Sequence, residues 1–431
     1  MRKAPRAPTS PTSEAPATTT LLRVEHTYRF LTPVFGGGVR VDGQHKPHDA
    51  VTPVRVPSLR GQLRFWWRAC NPHGCSTSEK LREHEEAVFG STTTPSPLGI
   101  SVVRAPEPAR DVHVLKDRFA VVDGRLGRAY AAFPLRDPKQ GIEHGVLHEH
   151  LGDWTLAVSY PATIAKDVEA AFWAWAHFGG LGGRTRRGFG AVAEVGRSRG
   201  ELATLDAGWE RFVSGVEGVN VGWPHLPAFG ARRLRKKSGG WNGAEAQEYL
   251  LELLRRLRQG ELGRRREADD VPGRHPGRSY WPEPDAIRKL TGLRSPDHSK
   301  PVTQLDAFPR AAFGLPLIFH FKDRRDPLDT TLKPLVGSTV KGRLASPLIL
   351  RPHRAPDGSI EALALALAHL PPTGLVLVEN QRKKGPYPVT QGMLTTSEAV
   401  NIGLGGRPSP LVTMRGVVVA DPIDRFLEEI R

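Results

Sequence analysis

The chain has 431 residues, enough for two domains, or three, each with its own core. Its 61 lysines and arginines against 45 acids leave a formal charge of +16, which points to nucleic acid or another polyanionic surface as partner. Two cysteines exclude a disulfide framework, and no apolar run reaches the roughly 18 residues of a membrane span.

The start, MRKAPRAPTSPTSEAPATTT, is basic but lacks an apolar signal core. Its composition predicts a disordered tail over 1–19, and a reducing cytoplasm is the expected location. The first ordered element is an alternating strand, Leu21 to Phe30, followed by a glycine turn at Phe35 to Gly38. A helix follows over VPSLRGQLRFWWRA, with Ser58 as the expected N-cap. Leu59, Leu63 and Trp66 or Trp67 form its inner face, leaving Arg60, Arg64 and Arg68 as a stripe. No acid lies between Pro57 and Ala69 to pair with that stripe, so it reads as a phosphate contact more readily than as a salt-bridged surface.

Strands are expected near Leu98 to Arg104 and Trp154 to Tyr160. Val168, Ala171, Phe172, Trp175 and Phe178 then recur at helical spacing, predicting a helix with one buried aromatic face. Residues 179–190 read GGLGGRTRRGFG, half of them glycine, and Ala191 to Val195 is a short strand. Glycine allows close approach to the main chain, and Arg184, Arg186 and Arg187 supply planar charged forks suited to phosphate. A solvated surface turn is the bland alternative. The order helix, loop, strand is the reverse of nucleotide-binding fingerprints, so no nucleotide cofactor is expected.

Strand, helix, strands, helix, strand is the order of a ferredoxin-like, RRM-type α+β domain with an antiparallel sheet. From residue 201 the texture changes. A basic run, Ala231 to Lys237, leads to a helix, Gln247 to Arg258, whose inner face is Leu250, Leu253, Leu254 and Leu257. Arg255, Arg256 and Arg258, then Arg264 to Arg266, are further clusters; each run could equally be a solvated face or a linker. Residues 259–305 read as loop or insertion. Strand-like segments return at Phe313 to Phe321, Leu348 to Leu350, Gly374 to Val378 and Val417 to Ala420. GLGGR at Gly403 to Arg407 repeats Gly180 to Arg184 letter for letter, suggesting duplication. Two ferredoxin-like domains are therefore expected, 20–200 and 201–431, the second carrying a basic helical and loop insertion at about 231–305.

The PSLRGQLRFWWR segment from Pro57 to Arg68, AVFG from Ala87 to Gly90, GGRTRRGFG from Gly182 to Gly190 and GRLASPL from Gly342 to Leu348 together carry a family resemblance. The sequence resembles the RAMP superfamily of CRISPR effector proteins, most closely the first RAMP-module subunit of the type III-B (Cmr) complex. The resemblance implies a non-catalytic subunit at the 3′ end of a guide RNA, helping to capture target RNA beside other RAMP subunits. It assigns RNA-backbone contact to Ser58, Arg60, Arg64 and Arg68, and to Gly182, Gly183, Arg184, Arg186 and Arg187. Lys341 and Arg343 are further candidates by the same logic. Helix stripe and loop would then face a common groove. Phosphate contacts carry no base identity, which suits a subunit that must accept any spacer.

Relatives in the superfamily include guide-processing endoribonucleases, the alternative reading. A metal-independent ribonuclease needs a placed general base, yet none of the 16 histidines lies inside the basic motifs. His45, His48, His144, His148 and His150 fall in stretches that read as loops. Asp269-Asp270 is the only acidic pair in a flexible setting, and Asp42 could imitate the acidic residue of the family's target-cleaving subunit. Cys70, His73, Cys75 and His84 match no usual zinc spacing. No cofactor and no metal are expected. A basic ribosome- or DNA-associated protein is the third class, but no helix-turn-helix, zinc finger or RNP signature supports it.

Overall fold

The computed structural model describes residues 20–34, 53–107, 112–114, 126–132, 146–148, 151–214, 221–259, 281–299, 307–321, 323–368, 372–379, 387–389 and 419–430. The tail, the Phe35 to Gly38 turn, Asp42, His45, His48, His144, His150, Arg264 to Arg266, Asp269, Asp270 and the GLGGR echo at Gly403 lie outside them.

The first half runs β1 (Leu21–Phe30), α1 (Val56–Cys70), α2 (Ser78–Phe89), β2 (Gly99–Arg104), β3 (Val112–Val114), α3 (Leu126–Ala132), β4 (Val146–His148), β5 (Asp153–Pro161), α4 (Ala165–Phe178), β6 (Val192–Arg197) and α5 (Leu205–Phe212). The sheet order β2-β5-β1-β6 is antiparallel throughout, and with α1 and α4 as crossovers it is ferredoxin-like. Alternation along β1 turns Val24, His26 and Tyr28 inward. His26 stacks on Phe172 and Tyr28 meets Trp175 edge-on, both on α4.

The second half runs β7 (Arg233–Ser238), α6 (Gly243–Arg258), α7 (Glu283–Thr291), β8 (Leu317–Phe319), β9 (Thr330–Val336), β10 (Thr339–Val340), β11 (Leu348–Arg354), β12 (Ile360–Ala366), β13 (Gly374–Glu379), β14 (Tyr387–Val389) and α8 (Pro422–Glu428). Antiparallel β11-β12-β7 forms its central sheet, and β8, β9, β10, β13 and β14 form another. From Arg233 onward the basic run is thus not linker but β7. Its charges are held by acids from elsewhere, Arg233 on Asp421 and Asp424, Arg235 on Glu428, and Lys236 on Glu361.

Five further expectations change. From Ala170 onward every face of α4 is covered, Trp173 and Ala174 included, because the helix has sheet on one side and β11 and α5 on others. In α6 it is Leu251 that is buried, and Leu253 is partly covered. Residues 313–321 hold only the short β8, after a 3-10 turn at Pro309–Phe313; Pro316 has no N–H for a ladder. Within the expected insertion, 283–291 is helical. Val419 and Ala420 are not in a strand, and Val417 and Val418 are undescribed.

The central sheet of the second half is covered on both faces. Leu348, Leu350, Ala362, Ala364 and Ala366 pack with α6 in one core. Ile349, Leu363, Leu365 and Leu367 belong instead to the core that holds α1 and α4. Alternation therefore sends successive residues of β12 to different halves of the molecule. That first core also reaches past residue 200, taking in Leu205, Trp209, Phe212 and Leu226.

Candidate nucleic-acid interface

Helix α1 begins one turn earlier than its serine suggests. Arg55 is the N-cap in extended conformation, Pro57 sits in the first turn, and Ser58 is already helical. No side chain caps this end. Arg60 turns back to donate to the carbonyls of Leu98 and Phe89, both at 3.0 Å, and burial lowers its pKa, with Arg64 adding to the effect. Arg64 Nε and Arg68 Nη1 both donate to Glu85 Oε1, at 2.6 and 2.7 Å. The stripe has its acid after all, contributed by α2. Glu85 is buried while each arginine stays about a third exposed, so the carboxylate orders the stripe and leaves its outer edge in solvent. Changing Glu85→Gln should lower stability by about 1–2 kcal/mol, discounted for that exposure, and raise RNA affinity at low salt. Urea midpoints and RNA titrations of the same preparation check both signs.

In the loop between α4 and β6 the guanidinium groups meet main-chain carbonyls. Arg184 Nε and Nη2 fork onto Ala131 O at 2.8 and 2.7 Å, placing a cation at the C-terminal end of α3. The other end of α3 is capped by Glu248 of α6, whose carboxylate accepts from the N–H groups of Gly127 and Arg128. Arg184 itself adopts φ +62°, a conformation uncommon for a residue with a side chain. Arg186 Nη1 donates to Ser346 O. Arg187 Nη1 donates to Leu348 O at 2.9 Å, and Gln247 donates back to Arg187 O. Burial pushes Arg187 down to about 9, still charged at neutral pH, and lowers Arg184 and Arg186 as well. Gly182 and Gly183 lie half-buried before Arg184. Arg186 and Arg187 thus tie the two halves together, while Arg184 holds α3, which packs against α6.

The same junction is locked from the other side. Arg351 of β11 is fully buried and donates to Gly179 O, Val192 O and Pro352 O. His177 Nε2 donates to Ala203 O, leaving Nδ1 to accept from His353. Burial, and then the neighbouring His353, push His177 down to about 3, so it is neutral.

Stripe and loop do not face one groove. Arg60, Arg64 and Arg68 look toward α2, whereas Gln62, Phe65 and Trp66, roughly a third of a turn or more around α1, look toward the loop. There they line a cavity of about 200 Å³ with Thr185, Arg186 and Ile349. The Arg186 guanidinium lies 5.3 Å over the Phe65 ring, a cation–π contact. Beside the loop, Lys341 and Arg343 are exposed. The charge of Arg343 is felt by Arg184, and Ser346 on the same segment accepts from Arg186. Helix, loop and the 341–346 segment therefore converge, joined by an aromatic residue the sequence reading passed over. The FWW triplet was visible, but only the fold separates outward-looking Phe65 from its buried neighbours.

Among the described residues no cluster of three His, Cys, Asp or Glu could hold a metal. Cys70 and Cys75 are buried thiols, and His73 bonds Asp167 at 2.7 Å. No described helix is long and apolar enough to cross a membrane.

Comparison with known proteins finds similarity over the part of the chain that carries these features. Residues 27–193 match the RAMP superfamily model. The CRISPR system Cmr subunit Cmr1-1 of Pyrococcus furiosus is 29% identical over 155 residues, 35% of this chain and 44% of that protein, so the match spans less than half of the relative. Among solved structures, apo Cmr1 from Pyrococcus furiosus is 18% identical, with 84% of this chain and 92% of that chain covered and a TM-score of 0.45. A chain of the Type III-B Cmr-beta complex bound to cognate target RNA is 12% identical, covers 81% and 95%, and has a TM-score of 0.43. The span that matches the RAMP superfamily model, residues 27–193, holds both α1 and the glycine–arginine loop.

Proposed function

We propose that this chain is a non-catalytic RNA-binding subunit of a type III-B CRISPR effector ribonucleoprotein in the cytoplasm. In this reading it holds the 3′ region of the guide RNA and helps capture target RNA through backbone phosphates, beside other RAMP subunits. The two-module division at about residue 200 belongs to the same proposal. The observation that carries it is the RAMP match over a segment containing both basic motifs, supported by a curated relative named as a Cmr subunit. Two cationic patches, Arg64 and Arg68 on the α2 side of α1 and Lys341 and Arg343 beside the loop, offer charge for sequence-independent backbone contact. Ser58, Arg60, Gly182, Gly183, Arg184, Arg186 and Arg187 then shape and position those patches. For the endoribonuclease alternative, the described lining of the cavity beside α1 offers Gln62, Thr185 and Arg186 but neither histidine nor carboxylate.

The test is RNA affinity across a salt series. Removing Arg184, Arg186 and Arg187 would disturb the fold, so the informative variant is Arg64→Ala with Lys341→Ala and Arg343→Ala. Arg68 then remains to pair Glu85. The salt slope should shrink by about 0.7 per lost contact, about two in total, equally for unrelated RNA sequences. An unchanged slope would remove these patches from the interface, and RNA cleavage by the purified protein would favour the nuclease.

A further inference from the structure

At the end of β6 opposite the glycine–arginine loop, a second cavity of about 330 Å³ opens between the first sheet and its helices, within the range of ligand pockets, roughly 300–1,000 Å³. Its floor is apolar. Leu22 of β1 and Leu202 are its partly open apolar residues, with Val24 and Phe212 buried behind them and the Arg211 guanidinium 4.9 Å over the Phe212 ring. Tyr160, paired in register with Leu22, adds a phenol to the wall. Burial, then Glu169, raise its pKa, so it stays an O–H donor.

The rim is charged, with three arginines, Arg197, Arg199 and Arg211, against Glu169 and Glu201. Arg211 and Glu169 satisfy each other at 2.7 Å. Arg197 Nη1 reaches the Glu201 carbonyl at 3.3 Å, closing the turn after β6, but its Nε is buried without an acceptor. Arg199 is exposed, with no ion-pair partner among the described residues. A buried donor without an acceptor costs free energy until a ligand oxygen meets it. The Glu201 carboxylate only accepts hydrogen bonds while ionised, so it suits a hydroxyl-bearing group rather than a second anion.

We propose that this cavity binds one ribonucleoside monophosphate unit. Its phosphate meets Arg197 and Arg199, its base lies on Leu22 and Leu202, and a ribose hydroxyl donates to Glu201. Inorganic phosphate would use the rim and leave the floor empty. The same unit is available as a free mononucleotide or as the terminal residue of an RNA strand. The site shares no residue with the two basic patches, and the inference does not rest on the function proposed above.

Calorimetric titration of the full chain with AMP, UMP and inorganic phosphate tests it. Both mononucleotides should bind about tenfold or more tighter than phosphate, and Arg199→Ala or Arg197→Lys should each weaken them about tenfold. The Arg64, Lys341 and Arg343 variant should leave mononucleotide binding unchanged, which separates this test from that of the RNA-binding patches. Displacement of AMP by a short RNA would assign the site to a strand end, and failure of displacement to the free nucleotide; both support the proposal. Binding of phosphate as tight as AMP, no mononucleotide binding, or indifference to Arg199→Ala would overturn it.

Discussion

Arg351→Ala will cost about 3–5 kcal/mol, because three main-chain acceptors lose their donor in a buried junction. Gly179 O and Val192 O belong to the two ends of the loop between α4 and β6, and Arg351 spans them from β11. Burial pushes its guanidinium down to about 9, so it is a cation solvated by carbonyl dipoles alone among its described acceptors. Lysine at this position would keep the charge but lose the planar fork, and should recover less than half of the loss. Equilibrium unfolding in urea measures both variants. If alanine loses less than about 1 kcal/mol, the level of one ordinary hydrogen bond, the carbonyls have found other donors and the locking role is wrong.

The second large effect is at Gly190. Its φ of +62° and its surroundings both exclude a side chain, since a Cβ would stand 1.9 Å from Leu181 O. Gly190 also donates to Pro33 O and accepts from the Leu181 N–H, so the backbone has no room to retreat. Gly190→Ala should lose at least about 3 kcal/mol, the left-handed conformation accounting for about 1–2 of it. Gly61→Ala is the matched control, because it sits inside α1 with nothing within 4 Å of its Cβ. There alanine should gain about 0.5–1 kcal/mol from helix propensity. Thermal midpoints moving in opposite directions would bear out the pair, and a tolerated alanine at 190 would show that the loop relaxes.

The first ferredoxin-like unit was legible in the sequence because its signals are local. Alternation marked β1, helical spacing marked α1 and α4, and glycine marked the turn between α4 and β6. What escaped was non-local. The acid that pairs Arg64 and Arg68 sits 21 and 17 residues onward on another helix, and the acceptors of Arg186 and Arg187 are carbonyls about 160 residues away. No spacing rule registers a main-chain acceptor, since every residue has one. β7 was missed for a related reason. RLRKKS has no apolar alternation, and its strand character comes from pairing with β12 and from acids that arrive on α8.

The two-sided burial of β12 removes an option that paired modules usually keep. In a sheet with one wet face, every second residue can vary without touching the core. From Ala362 to Ala366 each position of β12 answers either to α6 or to the helices of the other half, so neighbouring residues are constrained by different halves of the gene. Neither half can be exchanged for another module of the same shape, and a change that suits one must be matched in its companion.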